Sequence, residues 1–142
     1  MSAPRGAAPD WSPSDRSRVW LPAARRLVGS WLSDRPFLWG AAAAVLANAG
    51  LYLYVWWIVP GLPELIPLHY DPTGTVDQIG RPSGLFWLAV IGSLVLVANL
   101  VIAGVVHAFE RVAAHVLLWA ALGVQVVLAG GVWLLVAKAA GE

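Results

Sequence analysis

The chain of 142 residues contains no cysteine, which excludes a disulfide, a thiolate metal site and a cysteine nucleophile. Charged residues are also scarce, at 12% against about 25% in an ordinary soluble domain. Hydrophobic residues make up 59% of the chain, and its mean hydropathy is +0.71. Six of the nine basic residues precede residue 36 and are not spread over a folded face, so the net charge of +1 does not indicate nucleic acid and we expect no nucleic-acid partner. This composition does not fit a polar, soluble surface.

Three stretches without any charged residue cover residues 37–59, 83–106 and 116–137. About 20 apolar residues are needed to cross a bilayer core, and each stretch reaches that length. We therefore predict an all-α integral membrane fold with transmembrane helices at 37–59, 83–107 and 115–137. A signal peptide is the competing interpretation of the first stretch. It fits poorly, because the stretch starts late, is too long and ends without a small-x-small cleavage site.

The distribution of basic residues predicts how the chain lies in the membrane. Seven of the nine basic residues precede the first span or separate the second from the third, and only two fall on the other side. Because cytoplasmic loops are enriched in Lys and Arg, we expect a cytoplasmic N-terminus and a C-terminus outside. The loop at 60–82 and the tail at 138–142 are then extracytoplasmic, and the loop at 108–114 is cytoplasmic.

The segment before the first span divides into two parts. Residues 1–14 are rich in Ala, Pro and Ser and are predicted to be a disordered cytoplasmic tail. Residues 15–36 place Trp20 and Trp31 on one side of a helical wheel and Arg18, Arg25 and Arg26 on the other. This pattern predicts an interfacial amphipathic helix that binds membrane lipids. It would serve either as a docking helix for a partner or a lipid-sensing element, or as a positively charged anchor that lies on the inner leaflet.

Three amides are the most polar side chains within the predicted spans. Asn48 and Gln125 fall at a similar depth near the membrane midplane, and Asn99 lies nearer the cytoplasm. An amide in lipid seeks a partner on a neighbouring helix, so all three are predicted to make interhelical contacts. No Asp, Glu, Lys or Arg lies within a span, which argues against a pump or transporter formed by this chain alone.

The loop at 60–82 has the most distinctive sequence in the chain. Pro63 and Pro67 favour extended backbone, and Asp71-Pro72-Thr73-Gly74 suits a type I turn. We expect an ordered loop with two short extended arms on the membrane surface. Six of its residues form the pattern Pro-x3-Pro-x-His-x-Asp-x2-Gly-x2-Asp: Pro63, Pro67, His69, Asp71, Gly74 and Asp77.

This pattern between two spans resembles a bacterial membrane family of unknown function, which also forms the N-terminal part of SdpI-like immunity proteins. The resemblance covers about residues 45 to 105. It implies a place in the bacterial cytoplasmic membrane and no enzyme activity. On this basis the six loop residues are expected to be structural or to bind a partner.

Two sets of polar residues leave cofactor chemistry open. Glu64, His69, Asp71 and Asp77 could ligate a metal, although they include no close pair at helical spacing. His107 and His115 flank the predicted cytoplasmic loop and could ligate a cofactor in a larger assembly. We favour loop-shaping and interfacial roles for these side chains, and we predict no catalytic residue, metal or cofactor.

Two functions are compatible with these features. The first is a small non-catalytic accessory or structural subunit of a larger membrane complex, whose partners are other membrane protein subunits. The second is a stand-alone SdpI-like immunity or envelope-signalling protein that acts through its extracytoplasmic loop.

Overall fold

The computed structural model describes residues 28–139 and 141, which form a three-helix bundle with a small hairpin at one end. The helices are α1 (Arg35–Ile58), α2 (Phe86–Val106) and α3 (Arg111–Ala139), and each contacts the other two. All three are long and apolar enough to cross a membrane. The chain is therefore a multi-pass membrane protein, as the three uncharged stretches predicted.

Helix α1 begins earlier than the predicted span because Asp34 caps it. Asp34 has an extended backbone conformation, and its Oδ1 accepts a hydrogen bond of 3.2 Å from the Phe37 N–H. Pro36 lies in the first turn, where its missing N–H breaks no helical hydrogen bond. A separate helical stretch at 28–33 ends just before this cap. This stretch falls within the predicted interfacial helix at 15–36, but residues 1–27 lie outside the described residues, so the interfacial helix stays a prediction.

The connection between α2 and α3 is shorter than predicted. It comprises residues 107–110, not 108–114, because α3 begins at Arg111. The Glu110 side chain accepts a hydrogen bond of 3.2 Å from the Val112 N–H and caps the first turn of α3. A helix need not stop where its apolar stretch stops, so α3 extends past the predicted span at this end. We call this end of the bundle the short-loop end.

The loop between α1 and α2 contains β-structure, which the all-α prediction omitted. The two expected extended arms pair as antiparallel strands, β1 (Ile66–Tyr70) and β2 (Val76–Gly80), with Ile66 opposite Gly80 and Tyr70 opposite Val76. Single turns of 3₁₀ helix at Val59–Gly61 and Pro82–Leu85 join this hairpin to the spans. The fold is therefore a helical bundle that carries one hairpin, at what we call the hairpin end.

The bundle core follows a spacing of three and four residues along each helix, as expected for nearly parallel packing. Many of the buried residues are Gly or Ala, which let helices approach closely enough for van der Waals contact in lipid. The buried positions are Phe37, Gly40, Ala44, Asn48, Leu51 and Val55 on α1, Ala89, Gly92, Leu96, Ala103 and Gly104 on α2, and Ala114, Leu118, Ala121, Gln125, Val132 and Val136 on α3.

The tryptophans of the spans face away from this core. All six are at least 59% exposed on the protein surface, which in a membrane is a surface for lipid. Most lie towards the ends of the helices, where indole rings favour the membrane–water interface. These residues are Trp39, Trp56, Trp57, Trp87, Trp119 and Trp133.

Candidate functional site

The hairpin is fixed to the bundle by its first strand. Ile66 is 1% exposed and packs in a cluster with Val55 from α1, Leu85 and Val132 from α3. The Lys138 ammonium near the end of α3 lies 3.8 Å from the centre of the Tyr70 ring, a cation–π contact. These contacts hold both ends of β1 against the helices.

The tip of the hairpin is closed by Asp71. Its Oδ1 accepts hydrogen bonds from the Thr73 N–H, the Thr73 hydroxyl and the Thr75 N–H, at 2.9, 2.7 and 2.8 Å. The Gly74 N–H donates to the Asp71 carbonyl at 3.0 Å, as the predicted turn requires. Gly74 has a φ of 87°, a left-handed conformation that favours glycine, within the five-residue connection between the strands. The Thr73 hydroxyl, followed by the Thr75 N–H, lowers the pKa of Asp71 below its ordinary value.

We predict that replacing Asp71 with alanine loosens the hairpin tip while the bundle stays folded. The Thr73 and Thr75 amides should exchange with deuterium about 2- to 10-fold faster, because they lose their acceptor. In the native chain the carboxylate stabilises the tip fully above its ordinary pKa of 3.8, and this effect is lost as the pH falls through the lower native pKa. The control is Glu64→Gln, because the Glu64 side chain makes no hydrogen bond with a described residue. If the Thr73 and Thr75 amides exchange equally fast in the two variants, Asp71 does not hold the tip.

His69 and Asp77 face each other across the two strands. The His69 Nδ1 lies 2.7 Å from the Asp77 Oδ1, and the two side chains are 62% and 48% exposed. The sequence predicts loop-shaping roles for both side chains, and in the structure they bond each other across the strands. Because solvent screens such a pair, it adds little to stability. It does present a polar spot on the outer side of the hairpin.

A groove opens at the base of the hairpin. Its volume is about 630 Å³, and it contains two side chains of opposite charge, Glu64 and Arg81. Neither charge makes an ion pair with a described residue. The groove is lined by Val59, Leu62, Pro63, Glu64, Leu65, Arg81, Pro82 and Ser83.

Two of the predicted amides meet in the middle of the bundle. Asn48 of α1 donates through Nδ2 to the Gln125 Oε1 of α3 at 3.1 Å, and Gln125 Nε2 donates to the Gly92 carbonyl of α2 at 2.9 Å. Ser93 donates to the Asn48 Oδ1 at 3.0 Å and lies 3.2 Å from the Tyr52 hydroxyl. This network joins all three helices and leaves neither amide unpaired.

Asn99 lies outside this network. Its Nδ2 donates to the Val95 carbonyl at 2.8 Å, one turn earlier in the same helix. The predicted interhelical contact is therefore replaced by a local one. Its amide thus has a hydrogen-bond partner within its own helix.

At the short-loop end, Asp34 lies between two imidazoles. The His107 Nε2 is 2.9 Å and the His115 Nε2 is 3.2 Å from the Asp34 Oδ2. An ionised carboxylate only accepts, so each Nε2 carries the hydrogen. The hydrogen bond from His107 is the largest cause that lowers the pKa of Asp34 below its ordinary value. The His107 Nδ1 is buried and has no hydrogen-bond partner among the described residues.

The sequence indicated both histidines but not the aspartate that joins them. Asp34-Arg35-Pro36 before an apolar stretch is a recognisable start of a helix, and this signal would have identified Asp34 as the cap. Its pairing with residues more than 70 positions away has no signal in a single sequence. Within the described region, no group of three His, Asp or Glu side chains is arranged to hold a metal, at this cluster or at the hairpin.

Trp31 is the only predicted membrane anchor that falls within the described residues. Its indole N–H donates to the Gly104 carbonyl of α2 at 3.1 Å, and its ring covers Gly104. Trp31 thus attaches the stretch at 28–33 to the bundle. Four other predicted anchors lie outside the described residues: Arg18, Trp20, Arg25 and Arg26.

No protein-family model, curated protein or solved structure matches this chain. The resemblance to SdpI-like proteins therefore stays a prediction that rests on the six loop residues. Five of those residues lie on the hairpin, and Pro63 lines the groove beside it.

Proposed function

We propose that this chain is a non-catalytic accessory subunit of a larger membrane complex, and that the hairpin contacts its partner. The observation that carries this proposal is the two-sided character of the hairpin. Strand β1 is held against α3, whereas residues 76–79 of β2 are exposed. Val76 and Ile79 are 37% and 64% exposed, although they are apolar and lie outside the spans. A rigid element with exposed apolar residues is suited to binding another protein.

The bundle supports a scaffold role for the helices. The central amides satisfy each other and the backbone, so they need no ligand or ion. The spans contain no charged side chain between residues 37 and 59, 83 and 106, or 116 and 137. Chemistry inside the membrane usually requires such groups. By the positive-inside pattern, the hairpin would meet its partner on the extracytoplasmic side of a bacterial cytoplasmic membrane.

Co-purification from the native membrane tests this proposal. The tagged chain, extracted in a mild detergent, should migrate as a complex larger than its own mass of 15.1 kDa, and mass spectrometry should identify the same membrane protein in each preparation. A Val76→Ser/Ile79→Ser double variant should lose that partner while remaining in the membrane. Phe109→Ser, which alters an 85% exposed side chain at the opposite end, should keep it. If the chain always migrates at the mass of a single copy, without another protein, the proposal is refuted.

A stand-alone SdpI-like function is the second candidate, and the exposed His69–Asp77 pair favours it. Both residues belong to the loop pattern, yet their contact is too exposed to be needed for stability. If the pair recognises an extracytoplasmic peptide or envelope factor, His69→Ala and Asp77→Ala should each abolish protection or signalling in the native host. Immunoblots of the membrane fraction should show unchanged amounts of protein. Full protection by both variants would exclude this candidate.

A further inference from the structure

The groove beside the hairpin lies at the level where two spans leave the membrane. Val59 belongs to the end of the first span, which covers Arg35–Gly61, and Pro82 begins the second, which covers Pro82–Val106. The groove is therefore open at the depth where phospholipid headgroups lie. Its volume of about 630 Å³ is within the range of about 300–1,000 Å³ that small-molecule sites occupy.

The two charges in this groove are separate and available. Glu64 precedes β1 and Arg81 follows β2, so the hairpin brings them to the same opening. Both side chains are exposed, and neither forms an ion pair or side-chain hydrogen bond with another described residue. An acid and a base that share a cavity without pairing are complementary to a ligand that carries both charges.

We propose that this groove binds the headgroup of a zwitterionic phospholipid with a primary ammonium group, of the phosphatidylethanolamine type. The Arg81 guanidinium faces the phosphate, which it can bind through two parallel N–H groups. The Glu64 carboxylate accepts hydrogen bonds from the ammonium. Val59, Leu62 and Leu65 provide the apolar part of the lining, against the glycerol and the upper acyl chains.

The same charges disfavour the other common headgroups. A phosphatidylcholine ammonium is methylated and has no N–H to donate to Glu64. A phosphatidylglycerol headgroup has a net negative charge, which Arg81 attracts but Glu64 repels. Glu64 thus distinguishes the primary ammonium from the other two headgroups, whereas Arg81 adds affinity for the phosphate that all three lipids carry.

Native mass spectrometry of the whole purified chain tests the proposal. The protein is exchanged into detergent with equal amounts of phosphatidylethanolamine, phosphatidylcholine and phosphatidylglycerol of identical acyl chains. We expect the ethanolamine lipid to be retained about 3-fold over the other two, the scale of an exposed ion pair. Water-soluble glycerophosphoethanolamine should compete only weakly, because it lacks acyl chains. Equal retention of the three lipids, or competition by the soluble headgroup as strong as by the lipid, would overturn the proposal.

Two variants assign the selectivity to the groove. Glu64→Gln should remove the preference for ethanolamine over choline and raise the retention of phosphatidylglycerol, whereas Arg81→Gln should lower the retention of all three lipids. The matched controls are Glu110→Gln and Arg111→Gln, an exposed acid and base at the short-loop end. A lipid profile in the groove variants identical to that of the controls would contradict the assignment.

Discussion

Replacing Gly92 with alanine should destabilise the helix bundle by about 1–3 kcal/mol, the range for an overpacked interior. A Cβ atom at this position would lie 2.6 Å from the Gln125 Oε1 and 3.1 Å from the Asn48 Nδ2. Both atoms belong to the network that joins the three helices, so they cannot retreat without losing the hydrogen bond between them. The variant must either separate α2 from its neighbours or break the network, and each course costs free energy. Reversible unfolding in mixed micelles measures the effect.

Two further glycines provide the matched control. Gly123 and Gly130 lie within α3, and a Cβ atom at either would meet no other atom within 4 Å. Alanine at these positions should be neutral or stabilising, because it favours the helix more than glycine does. If Gly92→Ala and Gly123→Ala have the same free energy of unfolding, the close approach of the helices at Gly92 does not constrain the bundle.

A second substitution should partly reverse the loss. Gln125→Ala removes the side chain that the new methyl group would strike, so Gly92→Ala/Gln125→Ala should be more stable than the sum of the single effects predicts. The coupling energy of this double-mutant cycle isolates the contact. If the effects of the two substitutions on the free energy of unfolding are additive, the destabilisation by Gly92→Ala does not come from contact with Gln125. It would then come from another change, for example in α2 itself.

The sequence predicted the depth of this network but not its composition. Asn48 and Gln125 stand out because amides are rare in an apolar stretch, and counting along the helices places them at one level. Gly92, Ser93 and Tyr52 give no such signal, since each is common in transmembrane helices. Asn99 was identified in the sequence, but its partner was not predicted correctly. Composition does not show whether an amide bonds its own helix or a neighbouring one. That choice depends on helix rotation, which packing decides.

In the loop, too, the sequence predicted the local structure but not the contacts between distant residues. The turn at Asp71 follows from adjacent residues, so the sequence predicted it. The pairing of Ile66 with Gly80 and the burial of Ile66 depend on where α3 ends relative to the loop, and no local pattern encodes that. The groove likewise forms only when the hairpin brings residues 64 and 81 to one opening. Apart from the contact between Asn48 and Gln125, the sequence did not predict the features that need two distant segments, although it predicted the segments themselves.

Replacing Asp34 with alanine should loosen the short-loop end of the bundle. One carboxylate there caps α1 through the Phe37 N–H and accepts from both His107 and His115. Its loss removes the cap and leaves the His107 Nε2 buried without an acceptor, beside an Nδ1 that already has no partner in the described residues. We expect deuterium exchange at the Phe37 amide to become about ten-fold faster, in keeping with the loss of an N-cap. Amides near the hydrogen-bond network of Asn48 and Gln125, more than a turn away, should stay protected from deuterium exchange.

The asparagine variant separates the charge of Asp34 from its capping role. Asp34→Asn retains an oxygen that can accept from the Phe37 N–H, so deuterium exchange at that amide should be intermediate between the native chain and Asp34→Ala.

Hydrogen bonding lowers the native pKa of Asp34, which means that the ionised form is stabilised. This contribution is complete above the ordinary pKa of 3.8 and disappears as the pH falls through the lower native value. The part of the difference between native chain and Asp34→Asn that comes from the Asp34 charge should therefore shrink as the pH falls below 3.8. A difference that stays constant down to the lowest pH would show that the charge of Asp34 does not hold the two histidines to α1.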